Sequence, residues 1–258
     1  MKTRVIAIAN QKGGVGKTTT AINLSSALVA HHKKVLLVDF DPQGNAGRGL
    51  GIDVNSLMAS SLDALFVPDP LSLAVPTTVD GLMVLPSNLR LASLESKVTE
   101  RGITDPFFLL KRSLAKVPEG FDYIVIDCPP SLGLLNINAL VASDSVLIPV
   151  QCEYFAMEAV AAILSSISKI QKDYNPRLKI EGFLLTMYDP RTSLGTEVAR
   201  QVRGLFKENT FSTVIPRNAS IPEASARGLP VTSFRPTAQG AMAYFSLARE
   251  VIDHEQEG

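Results

Sequence analysis

Residues 10–19 read Asn-Gln-Lys-Gly-Gly-Val-Gly-Lys-Thr-Thr. An apolar run, Val5-Ile6-Ala7-Ile8-Ala9, precedes them, and Ala21, Leu24 and Leu28 recur on one helical face behind them. A strand, a Gly-rich turn and a helix in that order make a phosphate-binding loop. The glycines let backbone N–H groups close around an anion with no side chain in the way. The new helix points its positive end at the same spot. Lys17 adds a mobile charge for the outer phosphates, and the Thr18 hydroxyl is the expected magnesium ligand.

The spacing departs from the common Gly-x-x-x-x-Gly-Lys-Ser/Thr pattern, whose first glycine would fall on Gln11. Lys12-Gly13-Gly14-Val15-Gly16-Lys17-Thr18 instead carries a second lysine at the front. This deviant form resembles the MinD/ParA group of P-loop ATPases. The resemblance implies that residues 12–19, Val15 and Thr19 included, wrap the phosphates of ATP. It also implies that Lys12 reaches across a homodimer interface to the partner's nucleotide.

The strand-like runs further along set the fold class. Val35–Asp39, Leu82–Pro86, Tyr123–Asp127, Ser145–Val150 and Ile180–Leu185 are apolar and short, with Thr213–Ile215 a further short strand. Helical patterns alternate with them: 89–97, 106–116, 194–207, a long helix through Val160, Ile163, Leu164, Ile167 and Ile170, and a last one through Ala241, Tyr244, Ala248 and Val251. Residues 46–81, rich in Gly, Ser and Pro, read as irregular surface with a helical hint at Leu62–Phe66. Continuous apolar strands alternating with helices imply an α/β three-layer sandwich around a mostly parallel sheet. No linker, repeat or low-complexity tract divides the chain, so a single P-loop ATPase domain over residues 1–258 is expected.

In such sheets ligands sit at the carboxyl ends of the strands. Asp39 and Asp127 each close an apolar strand there. Asp127 is the expected second magnesium element, direct or through water, and Asp39 would orient the metal's waters. Both also fit a plain strand-end cap. Asp41 lies in a mobile-looking loop, where it can equally be a turn residue before Pro42.

The segment Val38-Asp39-Phe40-Asp41-Pro42-Gln43-Gly44-Asn45 closely resembles the switch I signature of ParA/Soj chromosome-partition ATPases. So do Asp127-Cys128-Pro129-Pro130-Ser131-Leu132-Gly133, Pro149-Val150-Gln151-Cys152-Glu153, Leu185-Thr186-Met187-Tyr188-Asp189 and Ile215-Pro216-Arg217-Asn218. The resemblance covers nearly the whole chain. It implies that Asp41 positions the attacking water, that Met187 and Pro216, Arg217 and Asn218 lie against the adenine, and that a ParB-type partner stimulates slow hydrolysis. Read on its own, Asn218 also suits a cap for the helix that follows.

Composition bounds the partners. Lys plus Arg and Asp plus Glu both number 25, so any contact with DNA must come from a local patch. Arg200, Arg203 and Lys207 fall on one helical face with Arg191 upstream, and residues 187–235 hold seven Lys/Arg against four Asp/Glu. Such a patch suits sequence-independent contact with double-stranded DNA, or is an ordinary solvated face. Ser220 stands where close relatives often carry another base. The two cysteines, Cys128 and Cys152, fit a reducing cytosol and lack metal-site spacing. No run of about 18 apolar residues exists for a membrane span. The strand starting by residue 9 leaves no room for a signal peptide. The last ten residues carry one Arg against Glu250, Asp253, Glu255 and Glu257, which opposes a MinD-like membrane-binding tail. An iron–sulfur carrier would need better-placed cysteines, and a biosynthetic ligase would need a substrate pocket. The expectation is a cytoplasmic, nucleoid-associated partition ATPase that dimerises on ATP.

Overall fold

The computed structural model describes residues 3–131 and 133–257, with side chains through His254. Leu132 of the quoted Asp127–Gly133 segment, the extreme amino terminus and the side chains of the acidic tail at Glu255 and Glu257 lie outside the described residues.

Among the described residues eight strands form one sheet. In chain order they are β1 (Arg4–Ile8), β2 (Val35–Asp39), β3 (Val75–Pro76), β4 (Leu82–Leu85), β5 (Tyr123–Asp127), β6 (Ser145–Gln151), β7 (Lys179–Tyr188) and β8 (Thr210–Pro216). The spatial order is β3-β4-β2-β5-β1-β6-β7-β8. All neighbours are parallel except β3, an antiparallel edge on β4. The three-layer, mostly parallel expectation is therefore met.

The strands alternate their side chains between two apolar layers. Ile6 and Ile8 pack with α1 (Lys17–Ala30), α10 (Val231–Phe234) and α11 (Gln239–Glu257) in one cluster that includes Leu24, Leu28, Val231, Leu247 and Val251. Ala7 and Ala9 face the other layer, where α6 (Leu134–Ala142), α7 (Ala156–Asp173) and α8 (Ser193–Phe206) contribute Leu140, Val160, Ile163, Ile167 and Val202. Strands covered on both faces have no polar side, which is why they read as continuous apolar runs.

Several stretches differ from the sequence expectation, among them 106–116, where a 3-10 turn, Pro106–Phe108, precedes a shorter helix. Residues 46–81 contain α2 (Asn45–Gly49), α3 (Ser61–Ala64), a short 3-10 turn and β3, and they bury Val54 and Leu62 completely. The capping box at Ser60 and Asp63 starts α3, and the Ser60 N–H donates to Asp63 at 2.9 Å. The helix expected at 89–97 splits into a 3-10 turn, Leu89–Ser93, and α4 (Leu94–Glu100). Helix α6 has no clear amphipathic period because it is buried on several sides. Its Asn138 is fully buried, accepts from the Leu110 N–H at 3.1 Å and donates to the Leu134 and Pro106 carbonyls, tying α6 to α5 (Leu109–Leu114).

Candidate nucleotide site

The chain leaves β1 at Ile8 and must turn sharply to start α1. Asn10 fixes the exit, with its amide donating to the Pro149 carbonyl at 2.7 Å and its oxygen accepting from the Lys12 N–H at 3.0 Å. Gly14 and Gly16 adopt φ of 76° and 91°, the left-handed region that glycine enters without steric cost. From the far side, the Thr186 hydroxyl donates to the Val15 carbonyl at 2.9 Å and clamps the loop to β7. Helix α1 starts without a side-chain cap and without an acid in its first turn, so its leading N–H groups are left for an external anion.

Both lysines are held within the loop region. The Lys17 ammonium is buried and donates to the Lys12 carbonyl at 3.0 Å. Burial holds its pKa below the ordinary lysine value, with Asp127 chief among the groups opposing the shift. The Lys12 ammonium turns outward and donates to the Tyr154 carbonyl at 3.3 Å. Gly13 and Gly14 are exposed, with no atom of the same chain within 4 Å of where a Cβ would sit.

Strand β5 returns to insert between β1 and β2, which brings the carboxylates to the loop. The register pairs Asp127 with Ile8 on one side and with Asp39 on the other. Both aspartates are fully buried and Asp41 is 8% exposed. Asp39 accepts from the Gly47 N–H at 3.0 Å and the Asp41 N–H at 3.3 Å. Asp41 accepts from the Gln43 N–H at 2.9 Å, so it does shape its turn. Among the described residues neither Asp127 oxygen has a hydrogen-bond partner of ordinary geometry, though the Thr18 hydroxyl stands near. Burial pushes the Asp39 carboxyl up to about 7. Burial first, then the Asp39 charge, pushes Asp127 well above the carboxylate range; the Thr18 hydroxyl and Lys17 oppose this.

Buried, unpartnered carboxylate oxygens near a threonine hydroxyl form a hard-oxygen donor set of the kind magnesium takes. Among the described residues no group of three or more His, Cys, Asp or Glu could hold a metal alone. That fits an ion taking most of its ligands from water and phosphate.

A cavity of about 380 Å³ opens beside the loop. Gly16 lines it from the phosphate loop and Thr19 from α1, and Thr186 and Met187 from the end of β7. Pro216, Arg217 and Asn218 line it from the end of β8. All four residues singled out as base contacts thus face one cavity with the phosphate loop. Met187 sits at φ 51°, uncommon for a residue with a Cβ. Asn218 also accepts from the Ser220 N–H at 3.0 Å just ahead of α9 (Ser220–Ala226), whose N-cap position is Ala219. The sequence reading missed Asn10, Thr186 as a clamp, and Tyr244. Tyr244 lines the cavity from α11, its hydroxyl 3.4 Å from that of Thr20.

The basic residues divide. Arg200, Arg203 and Lys207 are exposed along α8 and its end, while Val198, Ala199 and Val202 face the core. Arg200 sits 3.7 Å from Glu197, and Arg203 donates to the Ser212 carbonyl at 3.3 Å. Arg191, at the other end of α8, is clasped by Asp189 at 2.9 and 2.7 Å, which holds that carboxyl down at about 2. The pair is exposed, the Arg191 side chain at 86%, and it lies just ahead of α8. Among the described residues no helix is long and apolar enough to cross a membrane.

Comparison with known proteins places this site in a family. An AAA domain family model matches residues 3–180. The chain is 48% identical to the sporulation initiation inhibitor protein Soj of Bacillus subtilis, over 96% of this chain and 98% of that protein. It is 43% identical to the chromosome partitioning protein ParA of Myxococcus xanthus, over 98% and 89% respectively. A Mycobacterium smegmatis structure described as cobyrinic acid a,c-diamide synthase with bound ATP analogue and magnesium superposes with TM-score 0.88 at 38% identity, covering 100% of this chain and 97% of that one. A phosphate loop, a line of buried strand-end aspartates and similarity along almost its full length place the chain in the Soj/ParA family of chromosome-partitioning ATPases.

Proposed function

We propose that the chain, as a single ATPase domain, is an ATP-driven switch for partitioning DNA in the cytoplasm. The observation that carries this reading is the shared edge. The phosphate loop, the buried Asp39 and Asp127 and the cavity lined by Met187, Pro216, Arg217 and Asn218 meet at the carboxyl ends of adjacent parallel strands. The base would lie in that cavity, with residues 12–19 around the phosphates. Thr18, Asp39 and Asp127 would hold magnesium, which when bound neutralises phosphate charge. Lys17 would release the Lys12 carbonyl and bind the outer phosphates. Asp41, beside them in a turn, would hold the attacking water.

The deviant loop makes the switch a dimer. Gly13 has open space where a Cβ would go, so the subunit's own packing does not demand glycine there. A second copy approaching closely would. Leu89, Tyr154 and Phe155, 66%, 68% and 60% exposed, stand beyond the carboxyl ends of β4 and β6 on this same edge. Lys12 would then serve the partner's nucleotide, making hydrolysis depend on dimerisation. The dimer would carry two α8 stripes onto non-specific double-stranded DNA at the nucleoid, and a ParB-type partner would speed the reset. A diamide synthase, the activity named for the mycobacterial protein, is disfavoured by the higher identity to partition proteins.

The test is Gly13→Val, followed by light scattering with and without ATP. The variant folds and binds nucleotide but stays monomeric, while the parent dimerises. A Gly13→Val protein that dimerises with ATP as the parent does removes Lys12 from any role across the interface.

A further inference from the structure

The proposed trans role of Lys12 leaves open what holds that side chain before a partner arrives. Its ammonium donates to the Tyr154 carbonyl, in the turn between β6 and α7. That turn is unusual: Phe155 takes φ 66° although it carries a side chain, and the Tyr154 and Phe155 rings meet edge-on, 4.5 Å apart, in the open. It is fastened at two places. The Cys152 N–H donates to the Thr186 carbonyl at 3.1 Å, beside the phosphate-loop clamp. Glu153 pairs with Arg217 at 3.1 Å, and Arg217 lines the base cavity. The Arg217 N–H in turn donates to the Tyr188 carbonyl at 3.0 Å. A chain of direct contacts thus runs from the base cavity through Arg217 and Glu153 to the carbonyl that holds Lys12.

We propose that Glu153 is a positioning residue for Lys12. Its ion pair with Arg217 steadies the turn whose Tyr154 carbonyl keeps Lys12 in its own subunit, so filling the base cavity and freeing Lys12 are coupled. A nucleotide in the cavity competes for the Arg217 guanidinium. Glu153 then loses its partner, the turn loosens, and Lys12 is released toward a second copy. The pair is partly exposed, Arg217 at 63% and Glu153 at 45% of the side chain, so the hold is modest and easily reversed. This inference rests on the dimer reading above and adds the control of it.

The test compares ATP with inorganic tripolyphosphate, which fills the phosphate loop and leaves the base cavity empty. Dimer dissociation constants are measured by scattering for the parent and for Glu153→Gln, each with magnesium. The parent dimerises more weakly with tripolyphosphate than with ATP. Glu153→Gln narrows that ratio by about two- to five-fold, the range set by an exposed ion pair. A merely structural effect would shift both constants together and leave the ratio alone. An unchanged ratio, in a parent that dimerises with ATP, overturns the role of Glu153 and leaves the dimer reading standing. A parent that stays monomeric with ATP overturns both.

Discussion

Replacing Asp127 by asparagine should stabilise the empty protein while removing its response to magnesium and ATP. Asp127 is fully buried, no described residue makes a hydrogen bond of ordinary geometry to either oxygen although the Thr18 hydroxyl and Lys17 stand near, and Asp39 lies directly across the strand register. An uncompensated buried charge costs about 3–5 kcal/mol. Asparagine has nearly the same shape and no charge, but leaves a neutral polar group unpaired at about 1–3 kcal/mol. The difference favours the variant by about 2 kcal/mol, or about 4–8 °C in Tm for a chain of this size. The pH dependence has a definite sign. Asp39 and Asp127 bind protons more tightly folded than unfolded, with Asp39 up at about 7 from 3.8. Asp39's contribution is fully present below about pH 4 and is lost as pH rises through about 7, and Asp127's has the same sign. The advantage of Asp127→Asn should therefore grow from pH 5 to pH 7.5, because the unfolded carboxyl ionises above about pH 4 while the folded one holds its proton more tightly. Thermal unfolding in EDTA at both pH values measures it. Repeating the scan with magnesium and ATP should raise the parent well above its empty Tm and the variant much less. An empty variant less stable than the parent at pH 7.5 refutes the reasoning, as does a full response of the variant to magnesium and ATP.

Other outcomes follow from the same geometry. Asp41→Ala removes the carboxylate nearest solvent in the site, so it should bind ATP and dimerise yet turn over at least about 100-fold more slowly, the range for losing a positioned general base. Single-turnover phosphate release measures this, and a parent-like rate excludes Asp41 from the mechanism. Replacing Arg200 and Arg203 by alanine should flatten the dependence of log K for duplex DNA on log salt by about 2 per engaged subunit, at about 0.9 per phosphate contact. An unchanged slope would move the DNA surface off α8. Arg191→Ala should change that slope little, since Asp189 already occupies its guanidinium.

The order of legibility follows the range of the interactions. The phosphate loop was readable because its chemistry is local: glycines, two lysines and a threonine within eight residues, between an apolar run and a helical one. Asp39 and Asp127 were readable because each ends a continuous apolar strand. Helices α7 and α11 announced themselves through one apolar face each, while α6, buried on several sides, carried no such stripe. That Asp189 pairs with Arg191, two residues away, was not legible, because whether neighbouring side chains meet depends on the turn between them.

Taken alone, the chain determined the alternation of strands and helices, the phosphate loop and which residue types stand at the strand ends. These follow from backbone propensity and solvent partition, which act over a few residues. Only the tertiary structure decided that Thr186 would clamp Val15 from 171 residues away, that Tyr244 of the last helix would line the base cavity, and that Glu153 would meet Arg217 across 64 residues. Such contacts are set by sheet order and register. β5 inserting between β1 and β2 makes neighbours of side chains that no local pattern links.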